Sequence, residues 1–470
     1  MSDYSMFQPA SQPRIKSRSM GVKLIVVCTL ALFMTIPTLF VSSLVDDRTT
    51  RAADVVKEIS GYVGGQETFL GPVLAIPYNI PPQSPNDVAK HGTYLVFPAH
   101  AEAAVKTATE ERHRSLFKVP VFQADMKFDA AFDLTGVPAA APQNAELDWS
   151  RAEIVVGASD ARGALADATL TADGKTETLV PAAISQDISF GNDETQHIKL
   201  TLFGAKAGGF AKPDAQFNVT SALRFSGAQR IAILAYGKTT HLTVQGDWPS
   251  PGFDGGFLPI NRSVSGSGFT AEWSVPFIAR GVRAEGENGS ISGLDATALG
   301  VSFIEVADPY QSVNRSLKYA ALFLGLLFLS YFVFEVTTGT RVHPAQYILV
   351  GIAQSIFYLL LLSLAERVGF DLGFLFAGAA TVALLSANAG WVFASRLQGL
   401  RALGIFSLLY VLIYLLLRLE DNALLVGAIA SFLAVAAAMY LTRKIDWYSS
   451  LSPAETPGQR VAPPAQSNTV

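Results

Sequence analysis

The hydrophobic positions of this chain form long uninterrupted runs near both ends and short alternating runs in between. Six long runs are sufficient, or nearly so, to cross about 30 Å of hydrocarbon, and they cover roughly residues 22–45, 319–336, 347–364, 370–393, 402–417 and 422–440. The first run is too long for the core of a signal peptide, and no small-residue cleavage site follows it, so it indicates an uncleaved anchor. The pattern therefore predicts one transmembrane helix near the N-terminus and five more in the C-terminal part.

The segment between the first two long runs, residues 46–314, has a different pattern of hydrophobic residues. Its first apolar residues repeat at helical spacing, and they are Ala52, Val55, Val56 and Ile59. We therefore expect the first helix to continue out of the membrane until Gly64 and Gly65 end it.

Beyond that helix the apolar runs become short and partly alternating, and Gly, Pro, Asn and Asp separate them. The stretch "TADGKT" at residues 171–176 contains an Asp-Gly pair that is typical of a tight β-hairpin. No alternation of strands with crossover helices is visible, and the segment is long enough to bury its own core. These features predict a large, mostly antiparallel, β-rich and sandwich-like domain.

The distribution of Lys and Arg predicts the side of the membrane on which each loop lies, because cytoplasmic loops carry an excess of both. With the N-terminus in the cytoplasm, the inner segments carry Arg14, Lys16, Arg18, Lys23, Arg341, Arg396, Arg401, Arg443 and Lys444. The short outer hairpins then carry only Arg367 and Arg418. In this orientation the β-rich domain lies outside, and both termini are cytoplasmic.

These patterns divide the chain into five predicted parts. They are a disordered cytoplasmic tail at 1–21, a transmembrane helix at 22–45, the outer β-rich domain with its juxtamembrane helix at 46–314, a five-helix bundle at 315–448, and a second disordered cytoplasmic tail at 449–470. The predicted fold class is an α+β membrane protein with six transmembrane helices. Its β-rich domain is inserted between helices 1 and 2.

Composition agrees with a membrane protein, since half of the 470 residues are hydrophobic, only 16% are charged and the mean hydropathy is +0.32. The net charge of −4 offers no general basic surface for nucleic acid. Cys28 is the one cysteine, so no disulfide can form within the chain. Its position inside an apolar run indicates a thiol packed among lipid-facing residues.

The sequence offers no motif for catalysis, cofactor binding or metal binding. None of the six histidines has metal-ligand spacing, and neither a G-x-S-x-G elbow nor a Walker A loop is present. Gln354 and Asn388 are expected to form hydrogen bonds between helices, and Glu335 lies at the inner end of the second span. The lack of a carboxylate near mid-membrane weakens the case for a proton-coupled pump, while a pore for an uncharged substrate stays open.

Charged residues gather at the predicted outer rim of the bundle. They lie just before the second span and on the two outer hairpins, and together with one tyrosine they are Asp308, Tyr310, Arg315, Lys318, Glu366, Arg367, Arg418, Glu420 and Asp421. One interpretation is that they are ordinary helix termini, with carboxylates near helix N-termini and snorkelling arginines. The other is an ion-paired joint between the β-rich domain and the bundle.

Several long blocks resemble those of a known family. They are "GQETFLGPVLAIPY", "FLPINRSVSGSGFTAEWSVPFIARG", "VADPYQSVNRSLKYAALFLGLLFLSYFVFEV", "VHPAQYILVGIAQSIFYLLLLSLAERVGF", "EDNALLVGAIASF" and "MYLTRKIDWY". On these blocks the chain resembles the CreD family of bacterial inner-membrane proteins, from about residue 50 to 448. The likeness is weak at both tails and through much of residues 100–240.

The resemblance implies a place in the bacterial inner membrane and a link to cell-envelope integrity, and with that location the outer β-rich domain is expected in the periplasm. It implies no established reaction, so no catalytic residue is carried over. We expect a non-enzymatic protein whose periplasmic domain binds an unknown envelope protein, lipid or glycan. The alternative is a transporter or channel with an outer capture or gating domain, and an envelope enzyme is a third hypothesis.

Overall fold

The computed structural model describes residues 20–82, 84, 88–114, 117–183, 199–288, 291, 293–303, 309–418 and 423–443. The chain divides into two compact units, one formed by Met1–Thr49 and Ala307–Val470 and the other by Thr50–Val306. The first is helical and is called the bundle, and the second is rich in strands and is called the β unit.

Helices account for nearly all of the secondary structure in the bundle. The helices of the described chain are α1 (Met20–Phe33), α2 (Thr35–Val63), α3 (Val137–Ala140), α4 (Phe277–Arg280), α5 (Pro309–Lys318), α6 (Ala320–Thr338), α7 (Pro344–Val368), α8 (Phe370–Val392), α9 (Arg396–Arg418) and α10 (Ala423–Thr442). Within the described residues, five helical segments are long and apolar enough to cross a membrane, namely Gly21–Val63, Ala320–Thr338, Pro344–Val368, Phe370–Val392 and Arg396–Arg418. A shorter apolar helix, Leu425–Tyr440, follows them. The predicted arrangement of one N-terminal and five C-terminal apolar helices is confirmed.

The N-terminal helix extends well beyond its apolar part, as its sequence predicted. Only a turn at Met34 separates α1 from α2, and α2 continues to Val63. Gly64 follows with a φ of 85°, a left-handed conformation that glycine adopts without strain. The predicted end of this helix at the Gly64–Gly65 pair is therefore confirmed.

Strands dominate the β unit. They are β1 (Glu67–Ile80), β2 (Lys90–Val96), β3 (His100–Arg114), β4 (Phe117–Asp133), β5 (Glu146–Leu147), β6 (Glu153–Ala158), β7 (Thr169–Ala172), β8 (Lys175–Thr178), β9 (Val180–Pro181), β10 (Thr201–Lys206), β11 (Gln216–Ala228), β12 (Arg230–Leu234), β13 (Thr239–Gly246), β14 (Pro251–Gly255), β15 (Asn261–Ser265), β16 (Gly268–Val275), β17 (Glu285–Glu287) and β18 (Ala298–Phe303).

Two sheets can be traced through the described residues. One has ten strands along the order β14-β18-β12-β1-β6-β10-β9, with β2, β5 and β17 attached beside this path. The other has eight strands in the order β15-β16-β13-β3-β4-β11-β7-β8. Nearly all pairs are antiparallel, and β1 with β12 and β3 with β13 are parallel. The mostly antiparallel, sandwich-like prediction is confirmed.

The core of the β unit lies between the two sheets. The rings of Phe69 in β1 and Phe225 in β11 pack edge to face, with 5.2 Å between the ring centres. Phe128 in β4 and Tyr236 pack in the same way, with 5.7 Å between the ring centres. Buried and exposed residues alternate along much of β3, as a sheet with one solvated face requires. The first ten residues of β1 are all buried instead, so that strand is covered on both faces.

The Asp-Gly signal forms the hairpin that it predicts. Asp173 and Gly174 connect β7 to β8 with φ values of 49° and 75°. Two consecutive positive φ values are characteristic of the type I′ turn, whose twist matches that of paired strands.

The last turns of α2 pack on the β unit to which they belong. Val55, Val56 and Ile59 contact a small apolar cluster that includes Val119 and Val121 of β4. An ion pair between Arg114 at the end of β3 and Glu58 lies beside this cluster. The apolar spacing that predicted the helical extension therefore also marks its packing face.

Candidate functional site

The bundle brings part of the predicted outer rim together around Glu366, near the end of α7. Tyr310 of α5 donates a hydrogen bond from its hydroxyl to Glu366 Oε1 at 3.0 Å. Arg48 of α2 places Nη1 3.9 Å from the same oxygen, and the Glu366 side chain is only 7% exposed. Three segments that are distant in sequence thus meet at one largely buried carboxylate.

A second polar cluster lies where α8 begins and α9 ends. Arg418 forms an ion pair with Asp371 and donates from Nε to the hydroxyl of Tyr414 at 3.4 Å. Tyr414 in turn donates to Asp371 Oδ1 at 3.1 Å. The side chains of Arg418 and Asp371 are 56% and 53% exposed, so water screens this pair. Sequence reasoning missed Asp371, although an acidic residue in the first turn of a helix is itself a signal.

Three further rim residues of the described chain lie on α5 and α7. Lys318 and Arg367 are exposed, and Arg315 is half-buried on α5. Asp308, Glu420 and Asp421 lie outside the described residues. The proposed joint that contains them stays a prediction.

The opposite end of the bundle contains a buried carboxylate, Glu335 of α6, which is 2% exposed. Lys23 of α1 forms an ion pair with it. Glu335 also accepts hydrogen bonds from the backbone N–H of Val342 at 2.9 Å and from the hydroxyl of Tyr347 at 2.9 Å. The charge is therefore compensated on both oxygens, and it connects the N-terminal helix to α6 and α7.

Polar side chains within the bundle form hydrogen bonds between helices, as the sequence predicted. Tyr410 of α9 donates to Gln354 Oε1 of α7 at 2.8 Å. Asn388 of α8 donates from Nδ2 to the hydroxyl of Tyr331 of α6 at 3.1 Å. These contacts connect the helices without placing a charge in the apolar interior.

The β unit has an open groove of about 550 Å³ on its eight-stranded sheet. Side chains of β3, β4, β7 and β11 and of the segment before β7 line it. In the register of the strands, Asp125 lies between Lys106 and Arg224. Arg224 Nε is 3.3 Å from Asp125 Oδ1. The groove therefore presents charges of both signs.

Small residues form the floor of the groove beside Lys127. Ala104 of β3 and Ala222 of β11 are the cross-strand neighbours of Lys127, and all three are exposed. Lys127 Nζ is 2.8 Å from Asp129 Oδ2. Because one small alanine lies on each side of Lys127, the sheet surface is open at this point.

A buried carboxyl group, Glu67, lies where α2 leads into β1. Glu67 is fully buried, and its Oε2 accepts hydrogen bonds from Ser159 Oγ at 2.7 Å and from the backbone N–H of Asp160 at 3.2 Å. Oε1 is buried and forms no hydrogen bond with the described residues. Burial raises the pKa of Glu67 from 4.5 to about 7, although the bond from Ser159 opposes this.

Metal binding finds no support in the part of the chain that the structure describes, where no group of three or more His, Cys, Asp or Glu side chains could hold an ion. The features above define a multi-pass membrane protein with a β-sandwich inserted between an N-terminal membrane helix and a set of apolar helices.

Comparison with known proteins identifies the family. A family model described as "Inner membrane protein CreD" matches residues 19–448. The chain is also 30% identical over 430 residues to the Inner membrane protein CreD of Escherichia coli (strain K12), which covers 89% of this chain and 91% of that protein. The chain therefore belongs to the CreD family of inner membrane proteins, and the resemblance seen in its sequence blocks is confirmed.

Proposed function

We propose that this protein supports the integrity of the cell envelope from the inner membrane without catalysing a reaction. In this proposal the β unit lies in the periplasm and binds an envelope component, while the apolar helices anchor it in the bilayer. Membership of the CreD family supports the membrane location. The groove on the eight-stranded sheet supports the binding role.

The groove is the single observation that carries the binding proposal. Its volume of about 550 Å³ lies within the range of about 300–1,000 Å³ that is usual for ligand sites. Lys106, Asp125 and Arg224 form a row of alternating charge across three neighbouring strands, beside the alanine floor. Such a surface favours a polar component with its own hydrogen-bonding groups over an apolar chain.

The binding role can be tested in cells of the native host in which the gene for this protein is deleted and a variant is expressed instead. A photo-crosslinking residue at Ala222 should capture one defined envelope component, whereas the same residue at Glu177, exposed on β8, should not. The substitution Arg224→Glu should reduce both the crosslink and the restoration of envelope impermeability. Equal capture at both positions, or full restoration by the Arg224 variant, would contradict the proposal.

The periplasmic location of the β unit has its own test. Single cysteines are placed at Ser265 in β15 and at Ser395 before α9, after Cys28 is replaced. In cells whose outer membrane alone is permeable, an impermeant thiol reagent should label position 265 and not 395. The reverse labelling pattern would overturn the orientation.

The second candidate function is a transporter or channel. The observation in its favour is the set of polar groups inside the bundle, in particular the buried Gln354 and Tyr410. Amide and hydroxyl groups at that depth offer hydrogen bonds to an uncharged substrate. Proteoliposomes containing this protein should then swell faster in a small neutral solute than liposomes containing the Gln354→Leu variant, and equal rates would remove this candidate.

A further inference from the structure

The short helix α4 of the β unit exposes an apolar side chain and buries a charged one, the reverse of the usual arrangement. Ile278 is 92% exposed, whereas Arg280, two residues later, is 3% exposed. A fully buried arginine is uncommon unless another group compensates its charge. The protein groups around Arg280 therefore decide what this side chain does.

The described protein groups satisfy only part of the Arg280 guanidinium. Nε donates a hydrogen bond to the carbonyl oxygen of Ala235 at 2.9 Å, next to the end of β12. The guanidinium carbon lies 4.1 Å from the centre of the Phe97 ring, so the ring covers one face. Nη1 and Nη2 are both buried, and neither has a hydrogen-bond partner in the described part of the chain.

Within the described residues, no acidic side chain compensates the charge either. Burial alone lowers the pKa of Arg280, to about 10, and no carboxylate opposes that effect. In the following strand, β17, Glu287 accepts a hydrogen bond from the hydroxyl of Tyr78 at 2.7 Å. The side chain thus remains charged at neutral pH, and a buried charge without a counter-ion is strongly unfavourable.

We propose that Nη1 and Nη2 of Arg280 form a binding site for an oxyanion, a carboxylate or phosphate group. The two terminal nitrogens present parallel N–H donors, which match two oxygens of such a group. The bond to Ala235 and the contact with Phe97 fix the plane of the guanidinium. Because Nη1 and Nη2 are buried, the oxyanion reaches them only when the residues around α4 move apart. This assigns the β unit a second site and names the chemistry that it recognises, which goes beyond the groove.

The oxyanion has two sources in a cell envelope, a small free ion or the headgroup of an anionic lipid. Thermal unfolding of the purified full-length protein in detergent separates them. One arm adds sodium phosphate or sodium acetate, the other adds a short-chain anionic phospholipid, and sodium chloride of equal ionic strength is the reference. The unfolding temperature should rise in at least one arm, because a ligand that binds only the folded state stabilises it.

Three variants make the test specific. Arg280→Met should lose the anion-dependent rise, and in anion-free buffer it should unfold at a higher temperature than the parent, because it removes an uncompensated buried charge. Arg280→Lys keeps the charge without the fork and should need an at least tenfold higher anion concentration. Arg283→Met, at an exposed neighbouring position, should respond as the parent does.

Two results would overturn the site. One is a parent protein whose unfolding temperature is the same in phosphate, acetate, lipid and chloride. The other is an Arg280→Lys or Arg280→Met variant whose unfolding temperature rises at the same anion concentration as that of the parent. If the Met variant does not fold, the Lys variant alone decides the test. The groove variant Arg224→Glu should retain the response, so failure of the groove and failure of this site are distinguishable.

Discussion

The substitution Glu67→Gln is expected to change how the stability of this protein depends on pH. Glutamine keeps the shape of the side chain and an acceptor for Ser159 and Asp160, but it cannot ionise. The parent carboxyl is fully buried and has one oxygen without a hydrogen bond to the described residues. Ionising it inside the fold is therefore unfavourable.

The pKa of Glu67 sets the size and the sign of the effect. It is 4.5 in its ordinary state and about 7 in the fold, and at about 1.4 kcal/mol for each tenfold change in proton affinity this difference corresponds to about 3 kcal/mol. The folded protein binds the proton more tightly than the unfolded chain does. The parent is therefore most stable below about pH 4.5 with respect to this group, loses stability as the pH rises, and has lost the full amount above about pH 7.

The measurement is the unfolding temperature of the full-length protein in detergent at pH 5 and at pH 8, followed by tryptophan fluorescence. Relative to the parent, Glu67→Gln should gain about 5 °C or more between the two pH values, since about 2.5 kcal/mol of this effect falls between pH 5 and pH 8 and corresponds to at least that shift in a domain of this size. Glu177→Gln, at an exposed position on β8, serves as the control and should show no such gain. Parallel pH curves for Glu67→Gln and the parent would refute the reasoning.

Three further predictions concern individual contacts. Lys23→Met should destabilise the protein by about 3–5 kcal/mol because it leaves Glu335 buried without its counter-ion, and adding Glu335→Gln should recover part of the loss in thermal unfolding; an additive double variant would contradict this. Arg418→Gln and Asp371→Asn should each change stability by no more than about 1 kcal/mol, because this pair is exposed, and a larger loss would show that the pair is more than a surface contact. Gly64→Ala should lower the unfolding temperature, because its φ of 85° is unfavourable for alanine, and an unchanged temperature would contradict the proposed end of α2.

The periodic features of the sequence predicted most of the fold. The long apolar runs located the membrane helices, and the Asp-Gly pair located the β7–β8 turn, because both signals depend only on neighbouring residues. Gln354 and Asn388 were also interpreted correctly, since a polar side chain among apolar ones needs a partner on another helix. Local patterns thus fix the elements and their buried faces.

The polar sites were harder to predict because their partners are distant in sequence. Arg418 at the end of α9 pairs with Asp371 at the start of α8, 47 residues earlier, and the sequence singled out only the arginine. Glu67 and Arg280 carry no local signal of burial, because each is buried by strands that come from elsewhere in the chain. Which charged residues become buried depends on the pairing of the sheets, and no periodicity reports that pairing.

The position of β1 in its sheet affects how the protein must be made. β1 leaves the ribosome early, yet its parallel partner β12 pairs Ile233 with Phe69, and β12 in turn needs β18, which ends at Phe303. β2 and β6 can pair with most of β1 early, but the edge at Glu67–Phe69 that receives β12 stays open until nearly the whole β unit has been synthesised. Long-range pairing of this kind is slow, and open apolar strands aggregate. Biogenesis of this protein should therefore depend on chaperones that hold the incomplete β unit, and a chain truncated before β18 should be degraded.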